Sequence, residues 1–204
     1  MDDWLCDGPD AAAHTVVLAH GAGAQMDSPF MERMALGLSG RGLRVVRFEF
    51  PYMQRRRESG MRKPPDTAPK LVNAWREVID RLGGGSRLHI GGKSMGGRIA
   101  SMIADEIGAR GLVCLGYPFH PPGRPDRLRV AHLKDLQTST LIVQGERDAL
   151  GSREEIDGYE LTSSIRIAYL GDGDHSFKPR KSSGRTYDQN MDQAIAAVAE
   201  FVVG

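Results

Sequence analysis

The stretch Leu88-His89-Ile90-Gly91-Gly92-Lys93-Ser94-Met95-Gly96-Gly97 decides how this chain folds. It starts as an apolar run, passes through a serine that has a glycine two residues before it and another two residues after it, and continues into a segment suited to a helix. This order predicts strand, sharp turn and helix, with the Ser94 hydroxyl held out at the N-terminus of the helix. Because such a turn is tight and strains the backbone of the serine, the positions two residues before and two after it require very small residues, here Gly92 and Gly96.

Short apolar runs alternate with helical patterns along the rest of the chain. The predicted strands are Thr15 to Ala19, Arg44 to Phe48, Leu88 to Ile90, Gly111 to Leu115, Thr140 to Val143 and Ile165 to Leu170. The predicted helices are Pro29 to Ser39, Pro69 to Leu82, Ser94 to Ile107, Ser152 to Leu161 and Met191 to Val203. Such alternation is typical of an α/β fold, here a mostly parallel sheet of about six strands with helices on both faces.

Composition sets broad limits on the kind of protein. A chain of 204 residues predicts one domain, residues 1–204. A net charge of +1 gives no overall attraction to nucleic acid or to a membrane surface, and no apolar run is long enough to span a bilayer. The acidic start, Met1 to Trp4, does not look like a signal sequence, so we expect a cytoplasmic protein in which Cys6 and Cys114 are reduced.

Two long polar loops separate these elements. Pro51 to Thr67 is basic, with Arg55, Arg56, Arg57, Arg62 and Lys63, and Gly171 to Asn190 is the second. The basic loop either meets an anionic substrate or partner, or is a solvated loop whose arginines pair with acids elsewhere. The span from Tyr117 to Ser139 is too short for a lid domain, so a site at Ser94 would be open to solvent.

A serine hydroxyl needs a base within reach, and that base needs an orienting carboxylate. Asp148 follows an apolar strand at a turn, and His175 follows the last strand in a glycine-rich loop. They give the chain order Ser, Asp, His expected on this kind of sheet. Three alternatives stay open. Glu146 could be the acid in place of Asp148, Asp148 could be only a turn residue or helix cap, and His175 could be only a solvent-exposed loop histidine.

The remaining histidines fit other roles. His20 lies in a glycine-rich turn and braces it. His120 lies past the fourth predicted strand and is a candidate for lining the pocket, and His14, His89 and His132 have structural or exposed positions. No pair of histidines has metal-ligand spacing. Arg87 stands where a phosphate-binding loop needs glycine, and the G-x-G-x-x-G spacing of a dinucleotide site is absent. We therefore expect neither a metal nor another cofactor.

The turn His20-Gly21-Ala22-Gly23-Ala24 follows the first predicted strand directly. Small residues there let backbone amides approach a substrate oxygen, so the amides of Ala22 and Met95 are the predicted oxyanion hole. The alternative is an ordinary connecting turn. Aromatic and apolar residues near strand ends, namely Met26, Tyr52, Tyr117 and Phe119, are candidate pocket walls or plain packing.

Together these motifs resemble the α/β-hydrolase superfamily over nearly the whole chain, and more closely its small, lidless, dienelactone-hydrolase-like members. The residues that carry the likeness are the His20 turn, Phe48 to Tyr52, Gly92 to Arg98, Gly116 to His120, the Asp148 turn and the His175 loop. The resemblance implies nucleophile Ser94, acid Asp148 and base His175. The chain departs from the full fold of the family at its start. Only 14 residues precede the first predicted strand, so we expect the usual N-terminal antiparallel hairpin to be absent or reduced. Dienelactone hydrolases proper use a cysteine nucleophile, so lactone specificity does not carry over.

The leading hypothesis is a carboxylesterase-like serine hydrolase that acts on a small-molecule acyl ester through an acyl-enzyme intermediate. Two alternatives stay open. The fold could serve as a non-catalytic binding module that docks through its basic loop, because fold does not fix function. The same three side chains could also support acyl transfer or peptide cleavage. The sequence does not fix the oligomeric state.

Overall fold

A computed structural model describes residues 4–61 and 64–204. Its strands are β1 (Leu5–Asp7), β2 (Thr15–Ala19), β3 (Arg44–Phe48), β4 (Leu88–Lys93), β5 (Gly111–Leu115), β6 (Thr140–Gly145) and β7 (Ile165–Leu170). They form one sheet in the order β1-β3-β2-β4-β5-β6-β7. Strand β1 pairs antiparallel with β3, and every other pairing is parallel.

Helices cover both faces of this sheet. They are α1 (Pro29–Ser39), α2 (Pro51–Ser59), α3 (Ala68–Arg81), α4 (Met95–Ser101), α5 (Arg153–Ile156) and α6 (Tyr187–Val203). Helices α1 and α6 pack on one face with Val16 and Leu18 of β2. Helices α3 and α4 pack on the other face with Val17 and Ala19. Successive side chains of a strand point to opposite faces, so covering both faces explains why β2 is apolar from Val16 to Ala19.

Helix α3 shows how the sequence builds one of these layers. Leu71, Trp75 and Ile79 recur at the helical period and are buried on the sheet. The Trp75 ring packs edge-on against Phe48 of β3, with 4.7 Å between ring centroids. Proline near the start of the helix and Gly83 beyond its end, at φ +86°, set its limits.

The predicted α/β architecture is confirmed, with differences at particular elements. The sheet has seven strands rather than about six, because the three-residue β1 adds an antiparallel edge that is too short to leave a sequence signal. Among the described residues the antiparallel part of the sheet is this one short strand, which agrees with the predicted reduction of the N-terminal hairpin. The predicted helix from Ser152 to Leu161 is one turn, Arg153–Ile156, and the helix after Ser94 ends at Ser101 and continues as turns.

The largest correction concerns the predicted basic loop, since Pro51–Ser59 is helix α2. Only Tyr52 and Met53 are buried on this helix, so it has too few apolar residues to show a helical period. Pro51 starts it and Gly60, at φ +66°, ends it. The predictions that involve Met1 to Asp3, Arg62 and Lys63 fall outside the described residues.

Candidate active site

Ser94 lies in a strained turn between β4 and α4. Its φ of 51° and ψ of −114° are rarely adopted by a residue with a side chain, and such strain costs about 1–3 kcal/mol. A Cβ added at Gly92 would lie 2.1 Å from the Ala19 carbonyl oxygen, and one added at Gly96 would lie 2.4 Å from the same atom. The close approach of β2 therefore explains both glycines, as the sequence predicted.

The structure brings Ser94, His175 and Asp148 together from three separate strand ends. The Oγ of Ser94 lies 2.9 Å from Nε2 of His175. The other ring nitrogen, Nδ1, lies 2.7 Å from Oδ2 of Asp148. With the proton on Nδ1 the imidazole donates to the carboxylate and accepts from the hydroxyl, which is the arrangement that general-base activation of serine requires.

Asp148 is fully buried, and its carboxylate is held by further donors. The amide of Gln144 donates to Oδ2 at 2.9 Å, and the Leu150 N–H donates to Oδ1 at 2.8 Å. Gln144 is itself fixed, because its oxygen accepts from the Tyr117 N–H at 2.7 Å. Sequence reasoning missed Gln144, although a polar residue at the end of the apolar run Leu141 to Val143 was a usable signal.

The loop that carries His175 is shaped by its own carboxylates. Asp174 accepts from the backbone N–H groups of Ser176 and Lys178, at 2.8 and 2.9 Å. Asp172 accepts from the Arg180 guanidinium, which is the main reason that its pKa falls to about 2. Glu146, the rival acid, accepts from the Asp172 N–H at 2.9 Å, so it braces this loop instead of orienting the imidazole.

Lys93, the residue before the serine, also contacts this loop. Its Nζ donates to the His175 carbonyl oxygen at 2.7 Å and lies over the rings of Phe30 and Phe177, at 5.5 and 5.8 Å from their centroids. Burial lowers the pKa of the Lys93 amine to about 8. A charged residue at the end of an apolar strand was a signal that sequence reasoning left unused.

The turn after β2 is held rigidly beside the serine. His20 donates from Nδ1 to the Gly21 carbonyl at 2.7 Å and accepts from the Phe50 N–H at 3.1 Å, and burial lowers the pKa of its imidazole. The Tyr52 hydroxyl donates to the Ala22 carbonyl at 3.0 Å. These bonds fix the backbone at Ala22, which lies at the mouth of the same cavity as Ser94.

Comparison with known proteins places this architecture in a family. A family model described as an alpha/beta hydrolase domain matches residues 12–203. The chain belongs to the alpha/beta hydrolase domain family.

Solved structures with the same fold match nearly the whole of this chain and most of their own length. A serine hydrolase without a lid from Xanthomonas campestris is 18% identical, with a TM-score of 0.73 over 98% of this chain and 89% of that one. A dienelactone hydrolase from Anabaena variabilis is 20% identical, with a TM-score of 0.71 over 98% of this chain and 90% of that one. An alpha-beta serine hydrolase homologue from Coxiella burnetii is 16% identical, with a TM-score of 0.70 over 97% and 89%. At these identities the likeness shows the shared fold.

In this alpha/beta hydrolase the cavity at Ser94 has a volume of about 350 Å³. Its lining includes Ala22, Asp66, Met95, Arg98, Arg129 and Leu150. The two predicted oxyanion-hole residues therefore line the same cavity as the serine. The two arginines are an addition to the predicted site. Arg98 ends the motif Gly92 to Arg98 but had no predicted role, and Arg129 lies in no predicted motif.

The four candidate pocket walls do not line this cavity. Tyr52, Tyr117 and Phe119 are fully buried. They lie behind the lining and support it: Tyr52 bonds the Ala22 carbonyl, and Tyr117 and Phe119 bond the backbone of Arg129. Met26 lines a separate surface cavity with Trp4 and Glu49.

The basic residues on α2 mostly pair with acids. Arg55 contacts both oxygens of Asp66 at 2.7 and 2.9 Å, and Arg57 contacts Glu49 and Asp27 at 2.7 and 2.6 Å. The Arg56 guanidinium lies over the Tyr52 ring, 5.2 Å from its centroid. These contacts fit the interpretation that the arginines pair within the fold.

The other histidines lie in structural positions. Nδ1 of His120 lies 2.9 Å from the Pro121 carbonyl oxygen, and Nε2 of His132 lies 2.8 Å from the Ser101 hydroxyl. His89 is buried against the Phe201 ring, and burial lowers its pKa to about 4. Within residues 4–61 and 64–204 there is no group of three or more His, Cys, Asp or Glu that could hold a metal ion. Nor does that part of the chain contain a helix long and apolar enough to cross a membrane.

Proposed function

We propose that this protein is a serine hydrolase that cleaves small acyl esters, with Ser94 as nucleophile, His175 as base and Asp148 as the orienting acid. The observation that carries the proposal is the continuous hydrogen-bond chain from Asp148 through His175 to Ser94, at 2.7 and 2.9 Å. In this reaction Ser94 Oγ attacks the ester carbonyl as its proton passes to Nε2 of His175. Asp148 stabilises the imidazolium that forms.

The amides of Ala22 and Met95 are proposed as the donors that hold the tetrahedral oxyanion. Met95 is the first residue of α4, so its N–H has no partner within the helix, and the helix dipole favours negative charge there. Each such donor is worth roughly 10²–10³ in rate. The imidazolium then protonates the leaving alcohol, and water activated by the same His175 releases the acyl group from Ser94.

A fluorophosphonate probe tests the nucleophile directly. The probe is expected to label Ser94, as located by mass spectrometry, with labelling abolished in Ser94→Ala and strongly slowed in His175→Ala. Ser139→Ala is a matched control, because that serine precedes β6 at the opposite end of the sheet. No labelling of the folded wild type would contradict the proposal and favour a non-catalytic binding module.

The shape of the cavity predicts the length of the acyl group. A cavity of about 350 Å³, with no lid domain over it among the described residues, favours short, water-soluble acyl groups. We expect higher kcat/KM for butyrate than for palmitate esters of one alcohol, measured below the solubility limit of each. A clear rise in kcat/KM toward palmitate would contradict this preference. If alcohol or amine acceptors are added to the same assay, formation of their esters or amides reports acyl transfer.

A further inference from the structure

Two guanidinium groups line the Ser94 cavity. Arg98 is on α4, one turn after the serine, and Arg129 is in the connection between β5 and β6. Within the part of the chain that the structure describes, neither forms an ion pair with a carboxylate. By contrast, Asp66, the acid that lines the same cavity, has both oxygens bonded to Arg55.

Both guanidinium groups carry an energetic cost in the folded protein. The Nε of Arg98 is buried and has no hydrogen-bond partner among the described residues. A buried polar N–H of this kind costs about 1–3 kcal/mol when it is left unpaired. Burial, together with the charge of Arg98, lowers the pKa of Arg129. The charge of Arg98 thus makes the charge of Arg129 more costly.

Hydrogen bonds hold the backbone of Arg129 in place, and no carboxylate of the described residues pairs with either arginine. The Arg129 N–H donates to the Phe119 carbonyl at 2.7 Å, and the Tyr117 hydroxyl donates to the Arg129 carbonyl at 3.0 Å. Burial lowers the pKa of His132, which also feels the charge of Arg98, so that the imidazole is neutral near pH 7. Two positive charges therefore face a preformed cavity next to the nucleophile.

We propose that Arg98 and Arg129 form an anion subsite, and that the preferred substrates are esters whose acyl group ends in a carboxylate. This proposal rests on the proposed ester hydrolysis. A guanidinium presents its N–H groups as a planar fork that matches a carboxylate. Because Ser94, Arg98 and Arg129 line one cavity of about 350 Å³, the subsite lies within reach of a short acyl group whose ester carbonyl is at Ser94. Monoesters of short dicarboxylic acids have this geometry.

The test compares charged and neutral esters of matched shape. Monoethyl succinate, glutarate and adipate are each compared with the ethyl ester of the corresponding monoamide, with hydrolysis followed by pH-stat. For at least one chain length we expect kcat/KM for the acid to exceed that for the amide by about 10- to 100-fold, because hydrogen bonds to charged groups contribute this much. The ratio is expected to fall toward one in Arg98→Met and in Arg129→Met.

Arg110→Met is the matched control. It removes the same charge from an exposed arginine that directly precedes β5, at the opposite end of the sheet, so the acid-to-amide ratio is expected to stay at the wild-type value. A ratio that falls equally in Arg110→Met would show a general charge effect and overturn the subsite. Wild-type protein that hydrolyses acid and amide equally well at every chain length would overturn the subsite and leave the proposed function standing.

A binding measurement covers the case in which no ester is hydrolysed, which would contradict the proposed function. Calorimetric titration with glutarate is expected to show binding to the wild type and at least tenfold weaker binding to each of the two cavity variants. Folding of each variant is checked by circular dichroism. Absence of glutarate binding to the wild type, together with no preference for the acid ester, overturns the subsite.

Discussion

Replacing Asp148 by asparagine tests the hydrogen-bond chain at its most buried point. The carboxylate accepts three bonds, from His175 and Gln144 at Oδ2 and from Leu150 at Oδ1. An asparagine must place its NH2 group at one of these oxygen positions. If the NH2 group takes the position of Oδ1, it faces the N–H of Leu150, which is also a donor. If it takes the position of Oδ2, it faces the donating amide of Gln144, and it favours the His175 tautomer whose Nε2 carries a proton and cannot accept one from the serine.

The expected loss follows from the charge that is removed. In the transition state the imidazolium of His175 and the carboxylate of Asp148 are opposite charges roughly 4 Å apart, which attract by about 4 kcal/mol at the effective dielectric constant near a protein surface. At about 1.4 kcal/mol per tenfold change in rate, Asp148→Asn is expected to lower kcat/KM for a short ester about a thousandfold. The unpaired donor should also destabilise the fold by about 1–3 kcal/mol.

The assay is the second-order rate of fluorophosphonate labelling together with kcat/KM for ethyl butyrate, on protein shown to be folded by circular dichroism. Asp157→Asn is the matched control, because that carboxylate is exposed and bonds Tyr169 rather than the imidazole. We expect its rates to match the wild type. A loss smaller than tenfold in folded Asp148→Asn would refute the reasoning, since the carboxylate would then not stabilise the charged imidazole.

Two further predictions concern stability. Gly96→Ala places a Cβ 2.4 Å from the Ala19 carbonyl oxygen, and because backbone cannot yield cheaply, we expect a loss of about 3 kcal/mol in unfolding free energy, seen as a lower Tm. Gly23→Ala, with nothing within 4 Å, should stay within about 0.5 kcal/mol of wild type, and equal effects of the two changes would refute the packing argument. His89, whose pKa is about 4 in the folded protein against an ordinary value of 6.5, binds its proton more readily in the unfolded chain. Stability should therefore fall as pH drops from about 6.5 to about 4, by up to about 3 kcal/mol. Urea melts across this range should show a shallower dependence for His89→Leu, and an unchanged slope would contradict the assignment.

Local signals were sufficient for most of the fold. Strands β2, β3, β5 and β7 lie at their predicted limits, and β2 and β5 are short apolar runs with nearly every residue buried. Short-range patterns were insufficient where an element has little apolar surface of its own. Strand β1 depends on pairing with β3, and α2 depends on burial of Tyr52 and Met53, so neither has a periodic signal.

The candidate site divides in a similar way. Chain order and turn chemistry pointed to Ser94, Asp148 and His175, because each follows a strand end with characteristic small residues. Gln144 and Lys93 stand out in the chain only as polar residues at strand ends, and their contacts, which join separate strands and loops, come from the tertiary structure. The aromatic residues expected in the pocket walls lie behind the walls, because large rings near strand ends are buried more favourably under the lining than within it.

By itself, the sequence determined the strand-turn-helix around Ser94 and the succession of strands and helices along the chain, since both depend on residues close together in the chain. Only the tertiary structure decided which side chains meet at the serine and that Arg98 and Arg129 face one cavity, where no carboxylate of the described residues pairs with them. The physical reason is that hydrogen bonds and charge balance depend on distances of about 3–4 Å between residues remote in sequence. Such distances are set by packing of the two helical layers on the sheet.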